Sequence, residues 1–309
     1  LSSSIKIMPI WLIGLMNKDL ITLTRLFTKM KKILVTGSNG YIGLNLVKYL
    51  QQKFYYVVGL DKRDLVFNLG DEFIHQDILD TKLLDDEYDT VVHLAALVQV
   101  SGGQKAMMDY YRTNVVGTMN MLERLSYKNF IFASTCQAYL PHVYGSSKLM
   151  AESIIRQYAE LNNKKYTIFR FGNVVGGVNL TNTDGLMYNL FKAKETGVFH
   201  LYGNDYNTHD GSALRDYIHV NAVCYSIEKA ITRASCVPGA EVYPIFDYLG
   251  SAEKTSVFDC INAFKKVHNC DFEVVICPRR SGDVESVMNY QPSAYMPAIN
   301  YTLEEMMKG

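Results

Sequence analysis

At 309 residues, with 48% hydrophobic and 20% charged residues, the chain has room for one large globular domain or two small ones. Lys plus Arg and Asp plus Glu each total 31, so the formal net charge is zero and gives no electrostatic footprint for nucleic acid. The six cysteines include no C-x-x-C pair, which points to buried thiols of a reducing compartment rather than a disulfide framework. No metal site is expected.

Residues 1–29 differ in character from the rest of the chain. Their apolar run, Ile7 to Met16, is too short to span a bilayer. It also lacks the basic flank and small-residue cleavage site of a signal peptide. Met30-Lys31-Lys32 leads directly into a strand, so Met30 reads as the native start and 1–29 as an extension, non-native or disordered.

Lys32-Ile33-Leu34-Val35-Thr36 is a short apolar run of the kind found in buried parallel strands. Gly37-Ser38-Asn39-Gly40-Tyr41-Ile42-Gly43 comes next, then an amphipathic helix through Leu50. Strand, glycine-rich turn and helix, in that order, are the context of a dinucleotide fingerprint, here spaced G-x-x-G-x-x-G. Such glycines admit backbone N–H groups to a pyrophosphate, and the helix N-terminus favours its charge.

A second strand, Tyr55 to Leu60, ends at Asp61. An acidic residue there accepts from both ribose hydroxyls and repels a 2′-phosphate, which favours NAD over NADP. Lys62 and Arg63 pull the other way, since Arg can hold a 2′-phosphate. Phe73-Ile74-His75 is a third strand, and Asp77-Ile78 after it can reach an adenine amino group or simply form a surface turn.

Thr90 to Ala96 reads as a fourth strand whose small end, Leu94-Ala95-Ala96, can lie against a cofactor. His93 within it reads as a packed imidazole rather than a base. A helix over roughly Lys105 to Leu125 carries Asn114. Phe130 to Thr135 is a fifth strand, ending in hydroxyls. Tyr166 to Phe171 is a sixth, running on to Asn173.

Between the fifth and sixth strands lies Tyr144-Gly145-Ser146-Ser147-Lys148. Tyr144 and Lys148 are four residues apart at the start of a helical pattern, so they share a face. A phenol beside an ammonium can shuttle a proton, because the cation favours the phenolate. A surface Tyr and Lys would show the same spacing.

Strands and helices alternate throughout, which predicts an α/β fold built on a doubly wound parallel sheet. Gly37–Gly43, Asp61, Ala95, Thr135 and Asn173 then all fall at the carboxyl ends of strands, where such sheets bind ligands. Beyond Gly177 the pattern loosens. Helices near 185–194 and 220–232 and strands near 199–202, 243–246 and 272–276 suggest a smaller region partly interleaved with the sheet.

These motifs together resemble the extended short-chain dehydrogenase/reductase superfamily and, within it, the UDP-galactose 4-epimerase family. The broad likeness rests on Thr36–Gly43, His93–Ala96, Asn114–Thr118 and Tyr144–Lys148. The narrower one rests on Tyr202–Tyr206, Asp210–Val220 and Pro278–Asp283, and it runs from about Lys31 to the C-terminus.

The resemblance implies a Rossmann-type NAD-binding domain over 30–176 and a mainly substrate-binding region over 177–309. It implies a cytoplasmic homodimer that acts on a UDP-sugar and has no membrane or nucleic-acid partner. Tyr144, Lys148 and Thr135 would be catalytic. The cofactor would lie against Gly37, Asn39, Gly40, Tyr41, Ile42, Gly43, Asp61, Asp77, Ile78, Leu94, Ala95, Ala96, Asn114, Tyr144, Lys148 and Phe171. The substrate nucleotide would lie against Asn173, Arg215, Arg280 and Asp283. Val287, smaller than the aromatic some epimerases carry there, would leave room for an N-acetyl group.

The chain departs from the family in several places, two of which bear on the site. Only eight residues, Cys136–Val143, join Thr135 to Tyr144, where the family has a longer loop over the substrate. Val98 stands where a Lys often faces the cofactor phosphates. A short connection predicts a site more open to water. Three alternatives stay open: a UDP-glucuronate epimerase or decarboxylase, a 4,6-dehydratase and a non-catalytic NAD sensor. Cys136-Gln137 counts against the dehydratase, whose elimination needs Asp-Glu at those positions.

Overall fold

The computed structural model describes residues 30–64, 70–80, 86–98, 106–177, 185–236, 245–280, 283–287 and 301–308. The expected extension over 1–29 lies outside them, as do Tyr243 and the Ser281-Gly282 step of the Pro278–Asp283 motif.

The first part of the chain alternates strand and helix: β1 (Lys32–Thr36), α1 (Tyr41–Gln52), β2 (Tyr56–Asp61), β3 (Glu72–His75), β4 (Glu87–His93), α2 (Met107–Tyr111), α3 (Gly117–Arg124), β5 (Ser126–Thr135), α4 (Val143–Asn162) and β6 (Lys165–Phe171). Shorter elements complete the chain: β7 (Asn173–Val175), α5 (Leu186–Thr196), β8 (Val198–Tyr202), β9 (Leu214–Arg215), β10 (Tyr217–His219), α6 (Val220–Cys236), β11 (Ile245–Leu249), β12 (Thr255–Ser256), α7 (Val257–His268), β13 (Glu273–Cys277), β14 (Ser286–Val287) and α8 (Leu303–Met306).

Seven strands form one sheet in the order β11-β6-β5-β4-β1-β2-β3, and every neighbouring pair is parallel. The chain builds outward from β1 to β3, then crosses back to start the other half at β4. The crevice between the ends of β1 and β4 is therefore the switch point of a doubly wound, Rossmann-type sheet.

Both faces of the sheet are covered, which is why its strands are apolar runs. Ile33 and Val35 of β1 pack with Leu46 and Leu50 of α1 and Val223, Ile227 and Ile231 of α6. Leu34, between them, points the other way and packs with Met121 and Leu122 of α3 and Ala151 and Ile155 of α4. Alternate residues of one strand thus feed two cores. Burying each such side chain contributes about 1.5–3 kcal/mol.

A third core lies outside the sheet. Met187 and Leu190 of α5, Phe199 and Leu201 of β8, and Ile261 and Phe264 of α7 pack together there. β8 pairs with β13, β7 with β10, and β9 lies between β12 and β14. No helix among the described residues is long and apolar enough to cross a membrane.

Several elements differ from expectation, among them β5, which begins at Ser126 rather than Phe130. β4 ends at His93, not Ala96, because the Ala95 N–H turns to the Thr36 hydroxyl, at 3.3 Å. The helix expected over 105–125 is interrupted, with Arg112–Val116 forming a π-helical turn around Asn114. β11 runs on to Leu249, past the expected end at 246, and Asp247 and Tyr248 mask its apolar pattern; 243 and 244 lie outside the described residues.

Candidate active site

The ends of β1, β2, β4, β5 and β6 surround a cavity of about 500 Å³, within the usual range for a ligand pocket. Gly37, Gly40, Tyr41, Ile42, Gly43, Asp61, Asp77, Ile78, Leu94, Ala95, Ala96, Thr135, Tyr144, Lys148 and Phe171 all line it. Val98 lines it too, 55% exposed, so no cation stands at that point of the wall.

The glycine turn is shaped for close approach. Gly37 has φ +70°, and a Cβ there would lie 2.7 Å from the Ala95 nitrogen. Only glycine lets β1 and the end of β4 meet at the switch point. Asp61 is buried at the end of β2. Its carboxylate accepts from the Asn39 N–H at 3.0 Å and from the Arg63 N–H at 3.0 Å. The Arg63 guanidinium adds two bonds of 3.1 Å, one to each oxygen. Asn39 is not on the cavity wall. Its amide donates to the Arg63 and Asp64 carbonyls and so ties the glycine turn to the end of β2.

His93 is fully buried, with Nδ1 2.7 Å from the Thr36 hydroxyl and Nε2 3.1 Å from that of Thr118. Thr118 donates to the Asn114 carbonyl at 2.7 Å, so it accepts from Nε2–H, and Nδ1 accepts from Thr36. Burial pushes the imidazole pKa down to about 3, so the ring is neutral and acts as a structural link. Asn114 is likewise off the cavity wall. Its amide bonds both the N–H and the carbonyl of Leu97, at 2.8 and 3.0 Å, and the Ser147 hydroxyl at 2.9 Å. The π-helical turn thus fixes the end of β4 against the start of α4.

Thr135 and Tyr144 line the same cavity from the two ends of the short connection, near enough for the hydroxyl to act on the phenol. That connection is a compact turn, closed by Ala138 N–H to Thr135 O at 3.1 Å and Leu140 N–H to Gln137 O at 2.9 Å. Burial pushes the Tyr144 phenol up, and the Thr135 hydroxyl draws it partly back. Lys148, one turn along α4, is buried. Its ammonium donates to the Ala133 carbonyl at 2.7 Å and lies 4.5 Å from the Phe132 ring centroid. Burial brings its pKa down to about 7, opposed by the carboxylate of Glu152.

Sequence reasoning missed Glu152 and Arg170. The two meet in a two-point ion pair, with bonds of 2.9 and 2.6 Å, and Glu152 also accepts from the Ser134 hydroxyl. Arg170 further donates to Tyr248 Oη at 2.9 Å, and Tyr139 of the short connection lies 4.2 Å over its guanidinium. Two signals were available: Glu152 continues the Tyr144–Lys148 face by one more turn, and Arg170 is the lone charge within the apolar run 166–171.

The expected substrate residues gather in a second cluster beside the cavity. Arg280 Nε lies 3.0 Å from Asp283 Oδ2, and Arg215 Nη2 lies 3.9 Å from Asp283 Oδ1. Arg215 also donates to the Leu214 and Val284 carbonyls, at 2.8 and 3.0 Å. Val287, buried, pairs with Arg215 across β9 and β14. Asn173 sits between the lining residues Gly172 and Val174, its N–H bound to the Asp216 carbonyl at 2.7 Å. Cys136 follows Thr135 in the chain; burial pushes its thiol up to about 11, Asp216 adds to that and Arg215 opposes it.

A family model described as "NAD dependent epimerase/dehydratase family" matches residues 33–245. The UDP-glucose 4-epimerase of Erwinia amylovora is 32% identical over 301 residues, covering 82% of this chain and 87% of that protein. The UDP-glucose-4-epimerase of Stenotrophomonas maltophila was solved with bound NAD and formylated UDP-arabinopyranose. It aligns with a TM-score of 0.78 at 25% identity, covering 90% of this chain and 96% of that one. The UDP-Glc/GlcNAc 4-epimerase of Campylobacter jejuni aligns with a TM-score of 0.74 at 25% identity, covering 90% and 97%.

Proposed function

Because the chain belongs to the NAD dependent epimerase/dehydratase family and is an NAD-dependent enzyme, we propose that it inverts C4 of a UDP-hexose through a transient 4-keto sugar. The observation that carries this reading is that Thr135, Tyr144 and, one turn on, Lys148 line the same cavity as the glycine turn and Asp61.

The residues fit the cofactor. The turn at Gly37 leaves no side chain between the backbone and a pyrophosphate at the start of α1, and Asp61 offers a carboxylate at the ribose end. Bound NAD would supply a hydride acceptor that can return what it takes. Tyr144 receives the proton of the sugar 4-hydroxyl and later gives it back. Thr135 holds the reacting oxygen. Lys148 supplies the positive charge that makes phenolate accessible. Arg215 and Arg280 offer planar donors to the diphosphate, and Asp283 offers an acceptor to ribose hydroxyls.

Residues 177–309 serve mainly the substrate. The same reading takes the protein to be a cytoplasmic homodimer. Met108, Val116 and Met119 of the 107–124 helical stretch and Met150 of α4 are exposed apolar residues that a second copy would cover.

The experiment is proton NMR of the anomeric region while UDP-galactose is incubated with the protein and catalytic NAD. A new UDP-glucose signal is expected, reduced about 10²–10⁴-fold in rate in Tyr144→Phe. Bound NAD without any change in the sugar would leave the reading without support.

A further inference from the structure

The short connection ends on His142, which occupies the N-cap position of α4 with φ −132° and ψ 154°. Its Nδ1 accepts from the Gly145 N–H at 2.9 Å. Helix caps are usually Ser, Thr, Asp or Asn. An imidazole can take the role only with a bare Nδ1. Nε2 then carries the proton, and it lies 3.1 Å from Gln137 Oε1, an acceptor. One neutral tautomer satisfies both bonds.

The ring also lies parallel to that of Tyr144, with an interplanar angle of 2° and centroids 6.2 Å apart. Gly145 completes the fit. A Cβ there would collide with the Gln137 carbonyl and stand 3.1 Å from His142 Cε1. Connection, cap and first helical turn are therefore fitted to one another around the phenol.

We propose that His142 is a positioning residue for Tyr144: its neutral imidazole fixes the first turn of α4 and the plane of the phenol, and protonation of Nδ1 releases both. This rests on the reading of Tyr144 as the proton-transfer group. A protonated Nδ1 would turn a donor toward the Gly145 N–H and place a cation at a helix N-terminus, and both oppose the observed geometry. Among the described residues, the partners of the ring are Gln137 of the connection and Tyr144 and Gly145 of α4. Burial and a bond to its own backbone are what act on the imidazole, with burial dominant and lowering its pKa. The cap is therefore complete above the ordinary histidine pKa and lost as pH falls through the lower folded value.

The test compares the full-length, NAD-loaded protein with His142→Asn and His142→Ala, reading kcat, KM and thermal unfolding across about pH 5 to 8. Asn caps without titrating, so it should keep plateau kcat within about threefold of the parent. It should also reduce the acid-side slope of log(kcat/KM) from about two to about one. Ala should lower kcat about ten- to a hundredfold with little change in KM. On the acid side, the unfolding temperature of the parent should fall below that of the Asn variant.

Equal slopes in parent and Asn variant would overturn the proposal. So would a stability gap without a change of slope, since the cap would then be structural only. A steeper acid limb in the Asn variant would mark the imidazolium as an aid to the phenolate, again against the proposal. If the parent converts no UDP-hexose, the reading of the site has failed on its own account. The pH-dependent stability gap still decides the cap, and a flat gap overturns it.

Discussion

Glu152 and Arg170 face each other as a two-point ion pair with neither side chain more than 1% exposed, directly behind the strand end that carries Thr135. Two charges so deep hold only as a pair. Arg170→Met should cost about 3–5 kcal/mol by stranding the Glu152 carboxylate. Pairing it with Glu152→Leu should recover much of that loss. Denaturant unfolding of the two single variants and the double variant measures both effects, and additive losses would show that the pair is not coupled.

Glu152 also reaches the proton chemistry through Lys148. The Tyr144–Lys148 pair has to lose one proton before the phenol can act as a base, and burial brings the Lys148 pKa down to about 7. Activity should therefore fall as pH drops below about 7. Glu152 raises the Lys148 value, so Glu152→Gln should move this midpoint to lower pH. Lys148→Met leaves a phenol raised by burial above its ordinary 10.0 and should move the midpoint above that value. The same shift sets the sign of the stability change. The folded chain releases the Lys148 proton near pH 7, the unfolded chain near 10.5, so stability should rise between them and Lys148→Met should flatten that rise. Rate profiles and unfolding curves across that range check both statements.

Asp61 holds the Arg63 guanidinium by two bonds while also accepting from two backbone N–H groups. Asp61→Ser should weaken NAD binding about ten- to a hundredfold through loss of charged hydrogen bonds. It should also free Arg63 for a 2′-phosphate, so the NADP/NAD affinity ratio should rise. Titration of each dinucleotide against the apo-protein checks this, and parallel losses for both would count against a role for Arg63.

Val287 packs beside Arg215 at the edge of the substrate cluster. With a side chain as small as valine at 287, the protein is expected to take both UDP-hexoses and their N-acetyl forms. Val287→Tyr should lower kcat/KM for the N-acetyl sugar at least about tenfold more than for the plain one. Equal losses on both substrates would sink the idea.

Much of this was legible in the chain. Ile33–Thr36, the glycine turn and Asp61 obey local rules of strand, turn and helix, and they fold where those rules put them. Tyr144 and Lys148 come from helical spacing. What stayed hidden depends on contacts between distant residues. The Ala95 N–H turns to Thr36, 59 residues away, and ends β4 early. The π-helical turn at Asn114 exists because its side chain is held by Leu97 and Ser147. Glu152 looked like one more polar residue of an amphipathic helix, because its partner lies 18 residues on in another strand. His142 was invisible because histidine is an uncommon cap. The short connection folds as a compact turn between Thr135 and Tyr144, held by bonds that spacing alone does not reveal.

The edge strand β11 has a consequence for how the protein is made. β6 is complete at Phe171, but its outer partner, β11, begins at Ile245, after α6. Through the synthesis of more than 70 residues β6 therefore offers an unpaired, largely buried-type backbone edge to its surroundings. The nascent chain should therefore be prone to aggregate over that interval and depend on chaperones there. A premature stop before residue 245 should yield insoluble protein, even though it would leave the glycine turn, Asp61, Thr135, Tyr144 and Lys148 intact.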